Sequence, residues 1–443
     1  MIFIEEKIIE QGSVFTMSDK SIAQKRAEQS VFKSGAELDY MLARAWLSKG
    51  RLDDAAARLK KIILIDPMHE GAYVTLAKLL AEQEKWTELI GLCQTGLSFF
   101  PNRTELHKGH IQALRQVGGF EASCTAYGMA RIDSKSIQMD SNDLLISLGV
   151  KNEICRLPWY LTHYRRLGIQ HFFVVDNGSD DGTLEYLIEQ PDVYVWRSNL
   201  SFNAANGGAS WAEIFLQEFG IGRWCLIADA DEILVFEGVE TDSPNPLATF
   251  CHQLDQDRKR AASGLALEMY SDRPLLHTHC TPGKNFLDIC SYFDKKYFHE
   301  FEPPAAAHPN QAFHWGGMRK RVFGDDSDYI LTKTPLLKYQ SDTLIPSGFH
   351  YTNFPAEQIA HQAVCVLHFK YFSQLITSAA KLFNRYKDIE YGDEFKAYVA
   401  QLKAYASVKD DVFYDPAVSV QYSGPDQLVE LGIIHSAQEK ISA

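Results

Sequence analysis

The stretch CLIADADEIL, residues 225–234, decides how the rest of the chain is read. An apolar run from Cys225 to Ala228 stops abruptly at Asp229, Asp231 and Glu232. Apolar residues this dense describe a strand buried on both faces, of the kind found inside a parallel sheet. Asp229 and Asp231 are two positions apart, so on an extended chain both carboxylates leave on one side. Like charges side by side at a buried strand end are unfavourable unless a cation lies between them. A hard divalent ion carrying a phosphorylated ligand, Mn2+ or Mg2+, meets that need. Aspartates that cap the next helix or sit solvated in a loop are the plainer alternative.

Upstream, strands and helices alternate. DLLISLGV (143–150) is a buried strand followed at once by Lys151, Asn152 and Glu153. A helix from about Cys155 to Leu167 stops at Gly168. HFFVVDN (171–177) ends in Asp176 and Asn177 and leads into the turn GSDDGT. The helix TLEYLIEQ precedes Pro191, VYVWRS (193–198) is the third strand, and a helix over about 209–219 leads into RWCLIADA. This alternation predicts βαβ units with right-handed crossovers and a parallel sheet. Ligands of such sheets bind outside the carboxyl ends of the strands. Every polar cluster named so far falls at that end.

The run VKNEICRLPWYLTHYRRLGIQHFFVVDNGSDDGT, with WCLIADADEIL further on, resembles family 2-like glycosyltransferases of the GT-A fold. The resemblance is sharp over residues 144–234 and weaker to about 435. It implies an α/β, Rossmann-like domain that binds a nucleotide-sugar donor, a UDP-sugar first of all, and a glycan or glycoconjugate acceptor. By that likeness Asp176 contacts the base or ribose, and Asn152, Glu153 and Asn177 line the same donor pocket. Asp229 and Asp231 match the DxD acids that bind the metal and the sugar diphosphate. An ion there bridges phosphate oxygens and offsets leaving-group charge.

The last third offers residues to close the site. GGMRKRVFG (316–324) sets Arg319, Lys320 and Arg321 after a glycine pair, a group suited to phosphates or an acidic acceptor. In VCVLHFKY (364–371), His368 and Lys370 lie two apart after an apolar run, hence on one face of an extended chain. By similarity in kind to metal-dependent GT-A enzymes, His368 is the third metal ligand and Lys370 the phosphate contact. His350, beside Tyr351 and Asn353, is placed on the acceptor side. The family mostly inverts the anomeric centre, which needs a base. The QxxRW motif of well-known members is missing, and Glu268 and Asp272 in LALEMYSDRP are the candidate bases. HTHC (277–280), with Cys290, lacks the paired spacing of a zinc site.

The first third reads differently. Residues 1–35 are polar without a sustained period, a partly ordered leader. Beyond them Leu52, Trp86 and Phe120 recur every 34 residues, as do Pro67 and Pro101, Ala43, Ala77 and Ile111, and Leu59, Cys93 and Tyr127. A 34-residue period of two helices and a closing proline resembles tetratricopeptide repeats, which predicts an all-α repeat domain over 36–135. Such an array buries a continuous core and presents a face for a protein partner. The glycosyltransferase domain is expected over 140–345. Residues 346–443 are expected to complete the site and add helices that pack on it.

Composition sets outer bounds. The chain has 443 residues, 46% hydrophobic and 12% aromatic, with formal net charge −13, which argues against a nucleic-acid partner. No apolar run reaches the ~18–20 residues of a membrane span. Eight scattered cysteines without a CxxC pair fit reduced, buried thiols and a cytoplasmic protein, or one peripheral to the inner face of a membrane. Two rival readings remain at this stage. One is a repeat scaffold with a degenerate transferase domain. The other is a phosphohydrolase with Asp229 as nucleophile.

Overall fold

The computed structural model describes residues 35–240, 243–295, 298–301, 311–324, 329–387 and 393–436. The expected leader lies outside these residues. The chain divides into two compact units, residues 1–101 and 102–443.

The first unit is helical: α1 (35–48), α2 (Leu52–Ile65), α3 (Glu70–Glu82) and α4 (Trp86–Phe99). Two of the periodic columns are its core, because Ala43, Leu59, Ala77 and Cys93 are all buried. Small residues let the helices approach closely; a Cβ on Gly71 would stand 2.9 Å from the ring of Tyr40. Tyr40 and Thr75 bind through their hydroxyls at 2.9 Å. The chain thus opens with a helical repeat region.

The second unit starts with α5 (Thr104–Ala126), broken at Gly119, whose φ of 74° no helix tolerates. The last columns, Ile111 and Tyr127, face the sheet of this unit. Instead of a full closing helix the chain forms β1 (Met129–Arg131) and then β2 (Leu145–Val150), α6 (Leu157–Leu167), β3 (His171–Asp176), α7 (Thr183–Glu189), β4 (Val193–Ser198), α8 (Ala209–Phe215) and β5 (Trp224–Ile227). Next come β6 (Glu232–Val235), α9 (Pro246–Gln256), β7 (Ala261–Glu268), β8 (Tyr292–Asp294), β9 (Phe298–Phe301), β10 (Phe313–Gly316), α10 (Gly317–Phe323), β11 (Tyr329–Ile330) and β12 (Thr332–Lys338). The chain ends with β13 (Ile359–His368), α11 (Gln374–Tyr386), α12 (Asp393–Ser407), β14 (Ser419–Gln421) and α13 (Pro425–Glu430).

The principal sheet has nine strands in the order β1-β4-β3-β2-β5-β12-β7-β13-β6. Strands β4, β3, β2 and β5 are parallel, as the sequence predicts. Their apolar runs are buried on both faces, one packed on α6 and α9 and the other on α5 and α8. Gly168 ends α6 in the left-handed region at φ 99°. Beyond β5 the pairing turns mixed: β12 is antiparallel to both β5 and β7, β13 is parallel to β7, and β6 is antiparallel to β13. The segment after residue 345 therefore supplies an interior strand of the sheet.

This half of the sheet cannot be flat. Strands β5 and β6 are four strand spacings apart in the pairing order, about 19 Å on a flat sheet. Yet only Ala228–Asp231 join them, a link that spans at most ~18 Å when fully stretched, and this one turns back on itself, with Glu232 N donating to Asp229 O at 3.0 Å. The sheet curls, and the acidic turn lies across the mouth of the curl. Among the described residues no helix is long and apolar enough to cross a membrane.

Burial holds His110, His163 and His350 at about 4, with His107, Arg166 and Lys333 respectively adding to the effect. The folded state leaves these rings neutral where the unfolded chain takes up protons, so stability is lost as pH falls from about 6.5 toward 4. Asp229, raised to about 7, and Glu153, also raised by burial, act in the opposite sense over part of the window but are two carboxyls against three rings. Denaturant midpoints are therefore expected to be near level between pH 7 and 8 and to fall steadily below pH 6.5. A flat profile from pH 7 to 4.5 would contradict this.

Candidate active site

The acidic turn is held at both ends by α6. Tyr160 and Tyr164, one helical turn apart and fully buried, aim their hydroxyls at it. Tyr160 donates to Ala228 O at 2.9 Å, while Tyr164 donates to Glu232 O at 2.9 Å and accepts from Leu234 N at 3.1 Å. On the far side Phe369 N donates to Asp231 O at 2.7 Å. The pairing registers then set Glu232, His368 and Glu268 side by side on β6, β13 and β7.

Together these residues wall a cleft of about 770 Å³ with Asp229, Asp231, Trp315, Arg319, Lys333, His350 and Lys370. Four carboxylates face three fixed cations there. Lys333 pairs with Glu232 at 2.8 Å. Arg319 closes on Glu268 through Nε to Oε1 at 2.7 Å and its backbone N to Oε2 at 2.8 Å. Among the described residues Lys370 has no carboxylate within 4.0 Å; its ammonium sits 5.1 Å from the centre of the Tyr405 ring. Burial, and then Arg319, lower Lys370 to about 8. Nδ1 of His350 donates to Thr332 O at 2.7 Å, which leaves the lone pair on Nε2.

The two aspartates differ in character. Burial raises Asp229 to about 7, helped by Glu232, Asp231 and Glu153. Burial would raise Asp231 too, but His368, Arg156 and Lys370 outweigh it and hold its carboxyl well below the usual range. His368 Nε2 lies 3.5 Å from Asp231 Oδ2. Among the described residues no three His, Cys, Asp or Glu side chains form a group set to hold a metal ion. What the donor set does show is a surplus of negative charge centred on Asp229, the chemistry a divalent cation would complement.

Other sequence candidates are engaged by a partner or lie outside the cleft, each for a physical reason. Glu268 lines the cleft, but Arg319 holds it ionised and engaged, so it is a brace for Arg319 and not a free base; burial alone would raise its pKa, and Arg319 and His368 lower it. Arg319 is correspondingly not free for phosphate. Asp272 is exposed in a separate hollow with Arg273 and His277. Arg321 is locked bidentate to Asp294 at 2.8 Å through both Nε and Nη2 and donates to Phe413 O. Asn177 gives its amide to Ser198 O and Leu200 O. Asp176 is fully buried and accepts from Gly178 N and Ser179 N. These last two brace the loop after β3. Asn152, at φ 61°, accepts from Asp180 N at 2.9 Å and joins that loop to the one after β2. Glu153 binds Arg156 at 2.7 Å and is felt electrostatically by Asp231, so this pair adjoins the cleft.

Two contributors escaped the sequence reading. Lys333 stands in TKTPLLK, whose polar residues and proline hide a buried strand. Arg156 lies at the start of α6, and among the described residues its buried Nε has no hydrogen-bond partner.

Glu268→Gln is expected to leave Arg319 charged, buried and half-satisfied, which destabilises by about 3–5 kcal/mol. Urea denaturation measures this, and Glu268→Gln combined with Arg319→Met should recover most of the loss. Equal stability of wild type and single variant would show the pair to be solvated.

No protein-family model matches the chain, and no curated protein matches it. Among solved structures, a mutant of the O-GlcNAc transferase of Thermobaculum terrenum aligns at 16% identity, over 37% of this chain and 35% of that one, with a TM-score of 0.18. The aligned part spans about a third of that protein, and a likeness this shallow assigns neither fold nor function to the chain.

Proposed function

We propose that the chain is a metal-dependent glycosyltransferase with a GT-A-type domain behind tetratricopeptide-like repeats. It would move a sugar from a nucleotide-sugar, a UDP-sugar first, to an acceptor hydroxyl, with inversion. The observation that carries this reading is the cleft itself. An acid-rich turn at the carboxyl end of β5 shares a space of about 770 Å³ with Lys370, which has no carboxylate within 4.0 Å among the described residues, and Glu153 in the loop after β2 is close enough to feel the charge of Asp231. Nucleotide diphosphates need this combination: carboxylates to hold a cation and a fixed ammonium for phosphate oxygens.

Asp229 and Asp231 would hold the Mn2+ or Mg2+, with His368 beside them. The ion, when bound, supplies charge to offset the departing diphosphate. Lys370, just beyond β13, supplies a second fixed charge to the same cleft. Lys333 keeps Glu232 ionised and oriented, and Glu232 in turn accepts from Asp229 N at 3.2 Å, which fixes the turn. Arg319 and Glu268, paired with each other, set the field in which Lys370 sits. His350 presents its Nε2 lone pair on the acceptor side.

Calorimetric titration with UDP, GDP and dTDP, each with and without Mn2+, tests the donor half. Metal-dependent binding of one nucleotide, and slow hydrolysis of its sugar conjugates, is the expected result. If no nucleoside diphosphate binds at about 1 mM with metal present, the reading fails.

A further inference from the structure

A second hollow of about 550 Å³ is lined by the continuation of β7, which leaves the cleft at Glu268 and reaches this hollow three residues later at Ser271. β7 ends at Glu268 in the cleft and then delivers Asp272 and Arg273 to this hollow. β13 ends at His368, and after Lys370 its Ser373 meets His279 Nδ1 at 2.8 Å on the hollow's rim.

Its frame is tied down. Thr278 Oγ1 donates to Leu275 O at 2.7 Å and reaches Tyr371 O at 3.3 Å. Leu275 N and Leu276 N donate to Asp411 O and Lys409 O. Asn285 accepts from Leu287 N at 2.9 Å, and Tyr292 is paired with Gln421 across β8 and β14. On this rigid frame the charged side chains are left over. Among the described residues Arg273, Lys284 and Asp288 have no ion-pair or hydrogen-bond partner for their side chains, and neither does the ring of His277. Exposed charged residues are ordinary, but two opposite pairs around one depression with a tyrosine ring in its wall are more specific. The lining balances Arg273 and Lys284 against Asp272 and Asp288, so a strongly charged ligand gains nothing there. A neutral ligand rich in hydroxyls can accept from the cations, donate to the carboxylates and touch the half-buried Tyr292, which is held against Tyr414 at 4.9 Å between ring centres.

We propose that this hollow is a saccharide-binding site that holds a neutral sugar unit of the acceptor, beyond the unit that reacts in the cleft. The word acceptor rests on the transferase reading; the saccharide site does not. A frame already ordered lowers the entropy cost of binding.

Saturation-transfer NMR on the full chain with methyl glycosides of glucose, galactose and N-acetylglucosamine tests it, with UDP–Mn2+ affinity measured separately. At least one glycoside is expected to bind, and Arg273→Ala with Asp288→Ala to weaken it tenfold or more. Both residues are exposed, so the fold should hold, and an unchanged thermal melt of the variant would report this. Binding that survives these substitutions but disappears in Asp231→Asn would put the sugar in the cleft and overturn the proposal. No glycoside signal at about 10 mM would overturn it too. Glycoside binding in the hollow without any nucleotide binding would uphold the site and remove the transferase reading.

Discussion

Asp229→Asn and Asp231→Asn are both expected to lower turnover of the cognate nucleotide-sugar by about 10²–10³-fold, while moving stability in opposite directions. The turn binds both aspartates to one task but places them in unlike fields. Asp229 faces Glu232, Asp231 and Glu153, and its carboxyl is raised to about 7. A carboxyl whose folded pKa lies above its unfolded one is an increasing burden as pH rises from about 4 to 7. Replacing it with a neutral amide at pH 8 relieves that burden, so Asp229→Asn should melt later than wild type, by about 1–2 kcal/mol. Asp231 is held low by His368, Arg156 and Lys370, so its contribution is present at neutral pH. Asp231→Asn leaves those groups without their shared anion and should melt earlier. Activity assays and thermal melts at pH 8, without and with Mn2+, check both halves. Added Mn2+ should raise the melting temperature of wild type more than that of either variant. Two variants that shift stability in the same direction would refute the assigned fields, even if both were inactive.

The parallel half of the sheet was readable because its strands obey local rules. LISLGV, HFFVVD, VYVWRS and WCLI are apolar runs closed by polar residues, and each lies where that pattern puts it. The columns at Ala43, Leu59, Ala77 and Cys93 were likewise readable, since helical burial follows period. The mixed half was not. β12 contains Pro335 and opens on three buried polar residues, Thr332, Lys333 and Thr334, and its burial comes from neighbours distant in sequence. In the cleft, Asp229, Asp231, His368, Lys370, His350 and Arg319 do come together as chemical types at strand ends. Their partners could not be read. Nothing near Arg321 in sequence announces Asp294, and nothing near Glu268 announces Arg319. A charge reads as available until its counter-charge is located, and pairing across the sheet is what assigned Glu268, Arg321 and Asn177 to bracing.

Gly264→Ala should prevent folding of the second unit altogether, although it adds one methyl group far from any reacting atom. Gly264 sits in the middle of β7, between β12 and β13, opposite Lys333 and Val364. Both pairings shift register there, between Lys333 and Leu336 on one side and Ala360 and Val364 on the other. The shift brings the Val364 backbone over the glycine, where a Cβ would stand 1.6 Å from the carbonyl oxygen and 2.5 Å from its carbon. A flexible side chain could swing away, but a carbonyl inside a paired strand cannot move without breaking its ladder. The same displacement would carry along β13, whose end delivers His368 and Lys370 to the cleft. Overpacking of a core ordinarily costs about 1–3 kcal/mol; a backbone collision on an interior strand exceeds that and approaches the whole stability of a domain, about 5–15 kcal/mol. The expected result is an insoluble or protease-sensitive chain, with Gly283→Ala, where a Cβ meets nothing within 4 Å though φ is 77°, as the milder comparison. A soluble Gly264→Ala protein with a wild-type melt would mean that β7 and β13 are not paired in the register described.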